Sequence, residues 1–167
     1  AWSTTLPGMI ADFDALLWSD LVVHGQVLSM TITEENINDS MPMWPSGDPL
    51  ATMPVARVRM KVEEVFRGSA PADTVQFLVY VSVSGVKRNY APGQEEVVGL
   101  AWGPDVLGGM YWMVTERGRF VRVAAGWMQQ ENGVVISDLD DVRETLRKAS
   151  PRNVLADADA IVVGTVA

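Results

Sequence analysis

The chain has 167 residues, of which 48% are hydrophobic and 20% are charged, so it can bury a core and is not a disordered tail. Its net charge of −8 disfavours nucleic acid as a partner, because that binding rests on Lys and Arg displacing counterions. It contains no cysteine, which excludes disulfides, thiolate nucleophiles and Cys-bound zinc, and it has no apolar run long enough for a membrane helix.

The first predicted elements are a short helix and a long strand. Residues 9–18 carry apolar side chains at helical spacing, which predicts an amphipathic helix. Residues 21–33, LVVHGQVLSMTIT, predict the first strand. Gly25 indicates a bulge or bend there, because glycine weakens the interior of a strand.

A long loop follows at residues 34–53, with three prolines, four acidic residues and no basic residue. Loops of this length are uncommon in compact domains and are often functional. Met41, Met43 and Trp44 lie in this loop. They indicate either a lid over the core or an exposed patch for a protein partner.

The clearest strand pattern is residues 54–68, PVARVRMKVEEVFRG, where apolar and charged residues alternate with a period of two. The alternation predicts one face toward the core, formed by Ala56, Val58, Met60 and Val62. The other face carries a basic row, Arg57, Arg59 and Lys61. Val65 and Phe66 break the pattern, as a bulge would.

Further strands are predicted over 74–85, 95–102 and 110–124, the last broken at 116–118, with a hairpin over 126–137 that turns at Asn132-Gly133. Ser137-Asp138 is the predicted N-cap of a second helix, whose acids come early and whose basic residues come late. Strands at regular spacing without alternating helices predict a mostly β fold, an antiparallel barrel or sandwich with peripheral helices.

The tail echoes the first strand, since residues 15–27 can be laid on residues 154–166 with five matches. The sequence therefore predicts one domain over 1–149 and a tail over 150–167, for which two interpretations stay open: a coincidental match, or the truncated start of a second copy. An orphan strand in this tail would pair with a sheet edge of the same chain or of a second copy, which would give a homodimer.

Four short motifs arrive in order: DLVVHGQV at 20–27, VEEVFRG at 62–68, PGQE at 92–95 and GRF at 118–120. Together they resemble a group of exported bacterial proteins of unknown function whose domain is similar to the netrin-like domain of tissue inhibitors of metalloproteinases. The resemblance covers residues 20–124. It implies a five-stranded antiparallel OB-like barrel with short N-terminal and C-terminal helices, and an extracytoplasmic, non-catalytic module.

Departures from that pattern limit what the resemblance implies. Arg67 and Arg119 stand where the pattern has lysine. The animal inhibitors present an N-terminal cysteine to zinc, whereas this chain begins with Ala1 and has no cysteine. The zinc-chelating mechanism of those inhibitors is therefore not expected for this chain.

Few residues point to catalysis. His24 is the only histidine, which favours a structural or half-exposed side chain over a catalytic or metal-binding one. Glu63-Glu64 and Glu95-Glu96 cannot each form a facing pair of catalytic carboxylates, because neighbours on a strand point to opposite faces, and they are predicted to be solvated surface residues. The sequence predicts no enzyme and no cofactor.

The remaining candidates are surface residues. Arg117, Arg119 and Arg122 are candidates to extend the basic row, for which protection of an edge strand is the commoner purpose. Trp102 and Trp112 are predicted to be in the core, whereas Trp127 is predicted to lie in a loop.

The sequence thus favours a protein-interaction module, regulatory or inhibitory, whose candidate surface is Met41, Met43, Trp44 and Trp127. The alternative is a carbohydrate-binding module that uses Trp44 and Trp127, since exposed loop tryptophans stack on sugars. The extracytoplasmic location is an expectation from the resemblance alone. It is not based on a signal peptide, since the first residues do not show that pattern.

Overall fold

Eight strands and two α-helices form the described part of the chain, which comprises residues 12–35, 52–80, 90–104, 106–113, 115–149 and 164–165 of a computed structural model. The helices are α1 (Asp14–Leu17) and α2 (Asp140–Lys148). The strands are β1 (Leu21–Glu35), β2 (Met53–Arg67), β3 (Thr74–Tyr80), β4 (Glu95–Gly103), β5 (Met110–Trp112), β6 (Arg119–Val123), β7 (Gly126–Gln129) and β8 (Val135–Ile136). The predicted mostly β fold with two helices is confirmed.

All eight strands belong to one sheet with the order β1-β2-β3-β5-β4-β6-β7-β8, and β1 also pairs with β4. The pairings therefore link β1, β2, β3, β5 and β4 in a ring, from which β6, β7 and β8 extend. Every pairing is antiparallel except that of β3 with β5, which is parallel.

The prediction of five antiparallel strands is wrong in number and in one pairing. The run predicted as a single broken strand over 110–124 is two strands, β5 and β6, separated by a 3-10 turn at Glu116–Gly118. The turn lets β5 pair with both β3 and β4, while β6 pairs with another part of β4. The C-terminal hairpin adds β7 and β8 to the same sheet.

The two longest strands, β1 and β2, pair as a hairpin whose register shifts three times. One shift lies between His24 and Gly25, so the irregularity predicted at Gly25 is present, although the extra residue is on the partner strand β2. A Cβ atom at Gly25 would collide with the carbonyl oxygen of Lys61, which explains why glycine occupies this position. On β2 the residues skipped by the register are Glu63 and Phe66.

The main core lies inside the ring of strands. Ala56, Val58 and Met60 on β2 are buried there, and Val62 packs against them, as the alternation predicted. The same core receives alternate residues of β3, namely Val75, Phe77 and Val79. The period of two therefore determined which side of these strands faces inward.

A second core lies on the other side of β1, β4 and β6 and is covered by the helices. Val22, Val97 and Phe120 face this side, and α2 contributes Val142 and Leu146, which are one helical turn apart. Leu16 of α1 is buried in the same cluster.

Both helices differ slightly from their predictions. The described helix α1 has four residues, Asp14–Leu17, against the predicted 9–18, of which 9–11 lie outside the described residues. Helix α2 has Leu139 at the N-cap instead of Ser137-Asp138, although Asp138 Oδ1 accepts a hydrogen bond from the Asp140 backbone N–H at 2.9 Å. In the described residues, neither helix has the length and apolar content needed to cross a bilayer.

Candidate functional site

An open groove of about 780 Å³ runs along the outer side of β3 and β5 and reaches β2 and β4. Aromatic, polar and basic side chains share its lining, which consists of Arg57, Pro71, Ala72, Thr74, Gln76, Trp102, Leu107, Gly109, Met110 and Tyr111. We refer to it as the aromatic groove. Concave surfaces with a few polar groups among apolar ones are typical of binding sites.

Trp102 and Tyr111 form the aromatic part of this groove. They face each other across the β4–β5 pairing, with ring centroids 4.9 Å apart and ring planes at 68°. Asp20 Oδ2 accepts a hydrogen bond from the Trp102 backbone N–H at 2.7 Å, which fixes the end of β4. Gly109 has a positive φ, and a Cβ atom there would lie 3.1 Å from the Trp102 ring, so a glycine leaves room for the indole.

The prediction that Trp102 is a core residue is wrong, because 48% of it is exposed. Trp112 is half-buried and packs against a small cluster that includes Val55 and Leu78. Trp112 is paired with Ala101 and Trp102 with Tyr111, and these pairings between distant residues are not revealed by local periodicity.

The predicted basic row lies beside the groove on β2. Arg57, Arg59 and Lys61 stand opposite Leu78, Gln76 and Thr74 of β3. The Arg57 guanidinium binds Glu35 through Nε at 3.0 Å and Nη2 at 2.6 Å. These hydrogen bonds lower the pKa of the Glu35 carboxyl below its usual range, although burial opposes the shift.

Arg59 and Lys61 are exposed, and neither has an ion-pair partner among the residues that the structure describes. Within the described residues the row therefore presents two cations without an acidic partner, on a chain whose net charge is −8. Arg117, Arg119 and Arg122 do not extend the row. Arg117 binds Glu131, Arg119 binds Glu96, and Arg122 lies over the Trp127 ring.

The predicted Met/Trp surface is only partly described. Met41, Met43 and Trp44 lie outside the described residues, as do residues 150–163 of the tail. Trp127 belongs to strand β7 and not to a loop, and only 3% of it is exposed. It packs in the helix-covered core, so the interpretation of Trp127 as a surface residue is wrong.

Arg119 and Glu96 form a buried ion pair next to the main core. Arg119 Nη2 lies 2.7 Å from Glu96 Oε1, and the two side chains are 3% and 0% exposed. The Arg119 guanidinium also lies 3.7 Å from the centroid of the buried Tyr90 ring. Burial by itself would lower the pKa of Arg119, but the hydrogen bonds with Glu96 together with the nearby charges of Tyr90, Glu96 and Glu116 outweigh burial and raise this pKa.

His24 lies between two carboxylates on the helix-covered side of the sheet. Its Nε2 atom is 3.4 Å from Glu95 Oε2 and 3.6 Å from Glu63 Oε2. The three ligand atoms lie within 4.8 Å of one another, which makes these residues the group in the described chain that could hold a metal ion. The imidazole also meets the Trp127 ring edge-on, with centroids 5.1 Å apart.

From the sequence, Glu63 and Glu95 were expected to be solvated surface groups and His24 a structural or half-exposed side chain, with no link among the three. The reason is that the rule of opposite faces holds only for an unbroken strand, and the register skips Glu63. Two signals were present in the sequence: Gly25 beside His24, and the break in alternation after Val62.

No family model, no curated protein and no solved structure matches this chain. The resemblance to netrin-like domains is therefore still an expectation, and the geometry of the described residues is the basis for assigning a function.

Proposed function

We propose that this protein is a protein-interaction module that binds an acidic segment of a partner protein in the aromatic groove. The observation that carries the proposal is the placement of the exposed Trp102 and the partly buried Tyr111 beside a basic row, in which Arg59 and Lys61 have no acidic partner among the described residues. Exposed tryptophan and arginine are the residue types that most often dominate the free energy of binding at interfaces.

The proposal includes a barrel of the OB type as the scaffold. The ring of pairings from β1 through β2, β3, β5 and β4 back to β1 supports it, because closure removes free edges. Ligands of OB barrels commonly lie on the face of the second and third strands, and the aromatic groove reaches β2 and β3.

The charge distribution favours a short acidic segment over a polyanion. At physiological ionic strength, charges more than about 8 Å away are largely screened, so a bound carboxylate responds mainly to the nearby basic row. A long polyanion would also pass over the rest of a chain whose net charge is −8. We therefore expect carboxylates to contact Arg59 and Lys61 while an apolar side chain contacts Trp102.

The geometry gives less support to a carbohydrate-binding module. Sugars stack on the flat faces of aromatic rings, whereas the Trp102 and Tyr111 planes cross at 68°. Of the tryptophans proposed for that function, Trp127 is buried and Trp44 lies outside the described residues. An extracytoplasmic location, supported by the sequence resemblance alone, is also part of the proposal.

A displayed library of random peptides, selected on the full chain and counter-selected on the Trp102→Ala variant, tests this proposal. We expect enriched peptides to combine carboxylates with an apolar residue. Fluorescence anisotropy with a labelled enriched peptide should then show binding at least tenfold weaker for Trp102→Ala, the effect of losing about 1.4 kcal/mol at a hot spot.

Matched variants distinguish binding in the aromatic groove from general effects of net charge and of exposed apolar surface. Lys61→Glu should weaken peptide binding, whereas Lys148→Glu on α2 changes the net charge equally and should leave it unchanged. Val65→Ala removes exposed apolar surface from the far end of β2 and should also leave binding unchanged. Failure to enrich any peptide that depends on Trp102 would contradict the proposal, as would binding of a cello- or chito-oligosaccharide that Trp102→Ala abolishes.

A further inference from the structure

We propose that His24, Glu63 and Glu95 form a binding site for one divalent transition-metal ion. The three residues come from three neighbouring strands, β1, β2 and β4, and converge on one point of the outer sheet surface. This proposal does not depend on the aromatic groove, which has no lining residue in common with the cluster.

The strand pairings explain why the three side chains meet. His24 is paired with Val97 on β4, and Glu95 lies two residues away on the same face, a diagonal position that long side chains can bridge. On β2, His24 is paired with Glu64, and the adjacent bulge contains Glu63. Bulges re-aim a side chain, and here the bulge brings the Glu63 carboxylate to His24.

The distances between ligand atoms fit a metal ion. Zinc binds histidine nitrogen and carboxylate oxygen at about 2.0–2.2 Å, so two ligands of a tetrahedral site lie about 3.3–3.6 Å apart. The Nε2 atom of His24 is 3.4 Å from Glu95 and 3.6 Å from Glu63. The two carboxylate oxygens lie within 4.8 Å of each other, and both side chains are 42% exposed, which leaves them room to approach a bound ion.

The charge and the ligand types favour a transition metal. Two carboxylates and a neutral imidazole carry a charge of −2, which balances a divalent cation. Imidazole is a preferred ligand of zinc and its neighbours, whereas Ca²⁺ and Mg²⁺ take oxygen ligands. Three protein ligands leave a coordination position open to solvent, as in sites that also bind a water or a substrate.

Neighbouring groups position the imidazole without blocking it. The His24 ring is held edge-on against the buried Trp127 ring, and its side chain is 16% exposed. His24 also lines a shallow groove of about 330 Å³, and two cationic side chains, Arg122 and Arg143, line the same groove. Arg143 is balanced by Glu64 and Asp140, and Arg122 lies over the Trp127 ring, so both have attractive contacts of their own.

Zinc titration of the full chain, free of any histidine tag, tests the proposal by calorimetry and by NMR. His24 is the only histidine, so its ring signals report the site without ambiguity. We expect one Zn²⁺ per chain and a shift of the His24 ring signals that saturates at the same ratio. Binding should weaken as the pH falls, because a proton and the metal compete for the imidazole nitrogen.

Variants assign the ligands. His24→Ala and Glu63→Gln should each weaken zinc binding at least tenfold, since even groups that only support a ligand cost about tenfold or more. Glu131→Gln is the matched control, because Glu131 has nearly the same exposure in an ion pair with Arg117 and should leave zinc binding unchanged. Glu63→Gln keeps the experiment decisive if His24→Ala does not fold. The proposal would be overturned if zinc left the His24 ring signals unmoved, if both variants bound zinc as tightly as the wild type, or if the folded protein did not bind zinc.

Discussion

The two outer faces of the sheet differ in what the strands present to them. Over β1, β4 and β6 the outward residues beneath the helices are apolar, for example Val22, Val97 and Phe120, while His24 and Glu95 lie beside this covered area. Over β2 the outward residues are the charged side chains of the basic row, and this face is open beside the aromatic groove. The same backbone geometry thus supports a second core on one side and a candidate binding surface on the other, and the outward residues alone make the difference.

The strongest test of this comparison removes an arginine from inside the molecule and one from the open face. Arg119→Ala leaves the Glu96 carboxylate buried without its guanidinium, which should lower the free energy of unfolding by about 3–5 kcal/mol. Arg59→Ala, on the exposed row, should change it by less than about 0.5 kcal/mol. Urea unfolding followed by circular dichroism measures both.

The double variant Arg119→Met/Glu96→Gln checks the reason for the loss. Removing both charges should restore part of the stability, because the penalty arises from the unpaired carboxylate and not from the missing contact alone. A loss below about 1 kcal/mol for Arg119→Ala would show that water or another group compensates Glu96.

A smaller difference is expected when apolar residues of the two faces are compared. Leu146→Ala on α2 removes a buried side chain from the helix-covered core and should cost about 2–3 kcal/mol, the low end of the usual range, because a peripheral helix can adjust. Trp102→Ala on the open face should cost about 1–2 kcal/mol, because half of the indole already faces solvent and its removal leaves no enclosed cavity. Thermal unfolding of both variants makes the comparison, and equal losses would mean that the groove is part of the core.

Local patterns predicted the parts of this fold that local physics determines. The alternation in 54–68 identified Ala56, Val58 and Met60 as core residues, and Gly25 identified a bulge. The order of charges predicted α2, with acids in its first turn and Arg147 and Lys148 in its last. Each of these features depends on residues within a few positions of one another.

The features that were missed depend on contacts between distant parts of the chain. The parallel pairing of β3 with β5 and the exposure of Trp102 follow from how the strands are arranged, and a single sequence does not specify that arrangement. Arg119 and Glu96 are 23 positions apart, and His24 and Glu95 are 71 positions apart. Glu63 is the extra residue of a bulge. At a bulge, neighbouring residues need not point to opposite faces of the sheet, so the rule applied to the sequence does not hold there.

The ion pair between Arg143 of α2 and Glu64 of β2 makes the stability of the protein depend on pH. Hydrogen bonds from the Arg143 guanidinium lower the pKa of the Glu64 carboxyl, although burial opposes the shift. Because the pKa is lower in the folded state, this contact stabilises the protein above the ordinary carboxyl range and is lost as the pH falls through the folded pKa.

Arg143→Gln should therefore lower the free energy of unfolding at pH 7 by at most about 1 kcal/mol, since both side chains are largely exposed. Urea unfolding between pH 7 and pH 3 should show that the difference between wild type and variant shrinks as the pH falls. A difference independent of pH would mean that Arg143 acts through its packing on Phe66 and not through Glu64.

The smallest effect on stability is expected on the solvent-facing side of α2, where the charged side chains are exposed. Hydrogen bonds from Arg147 lower the pKa of Glu144 to about 2, with Lys148 contributing. An NMR titration of the Glu144 side-chain carbonyl should show this low midpoint in the wild type, and Arg147→Gln should move it toward the ordinary carboxyl value. Unlike the pairs above, this one should leave the unfolding midpoint unchanged, because exposed pairs on a helix contribute little stability. An unchanged Glu144 midpoint in Arg147→Gln would assign the shift to Lys148 instead, which Lys148→Gln would then test directly.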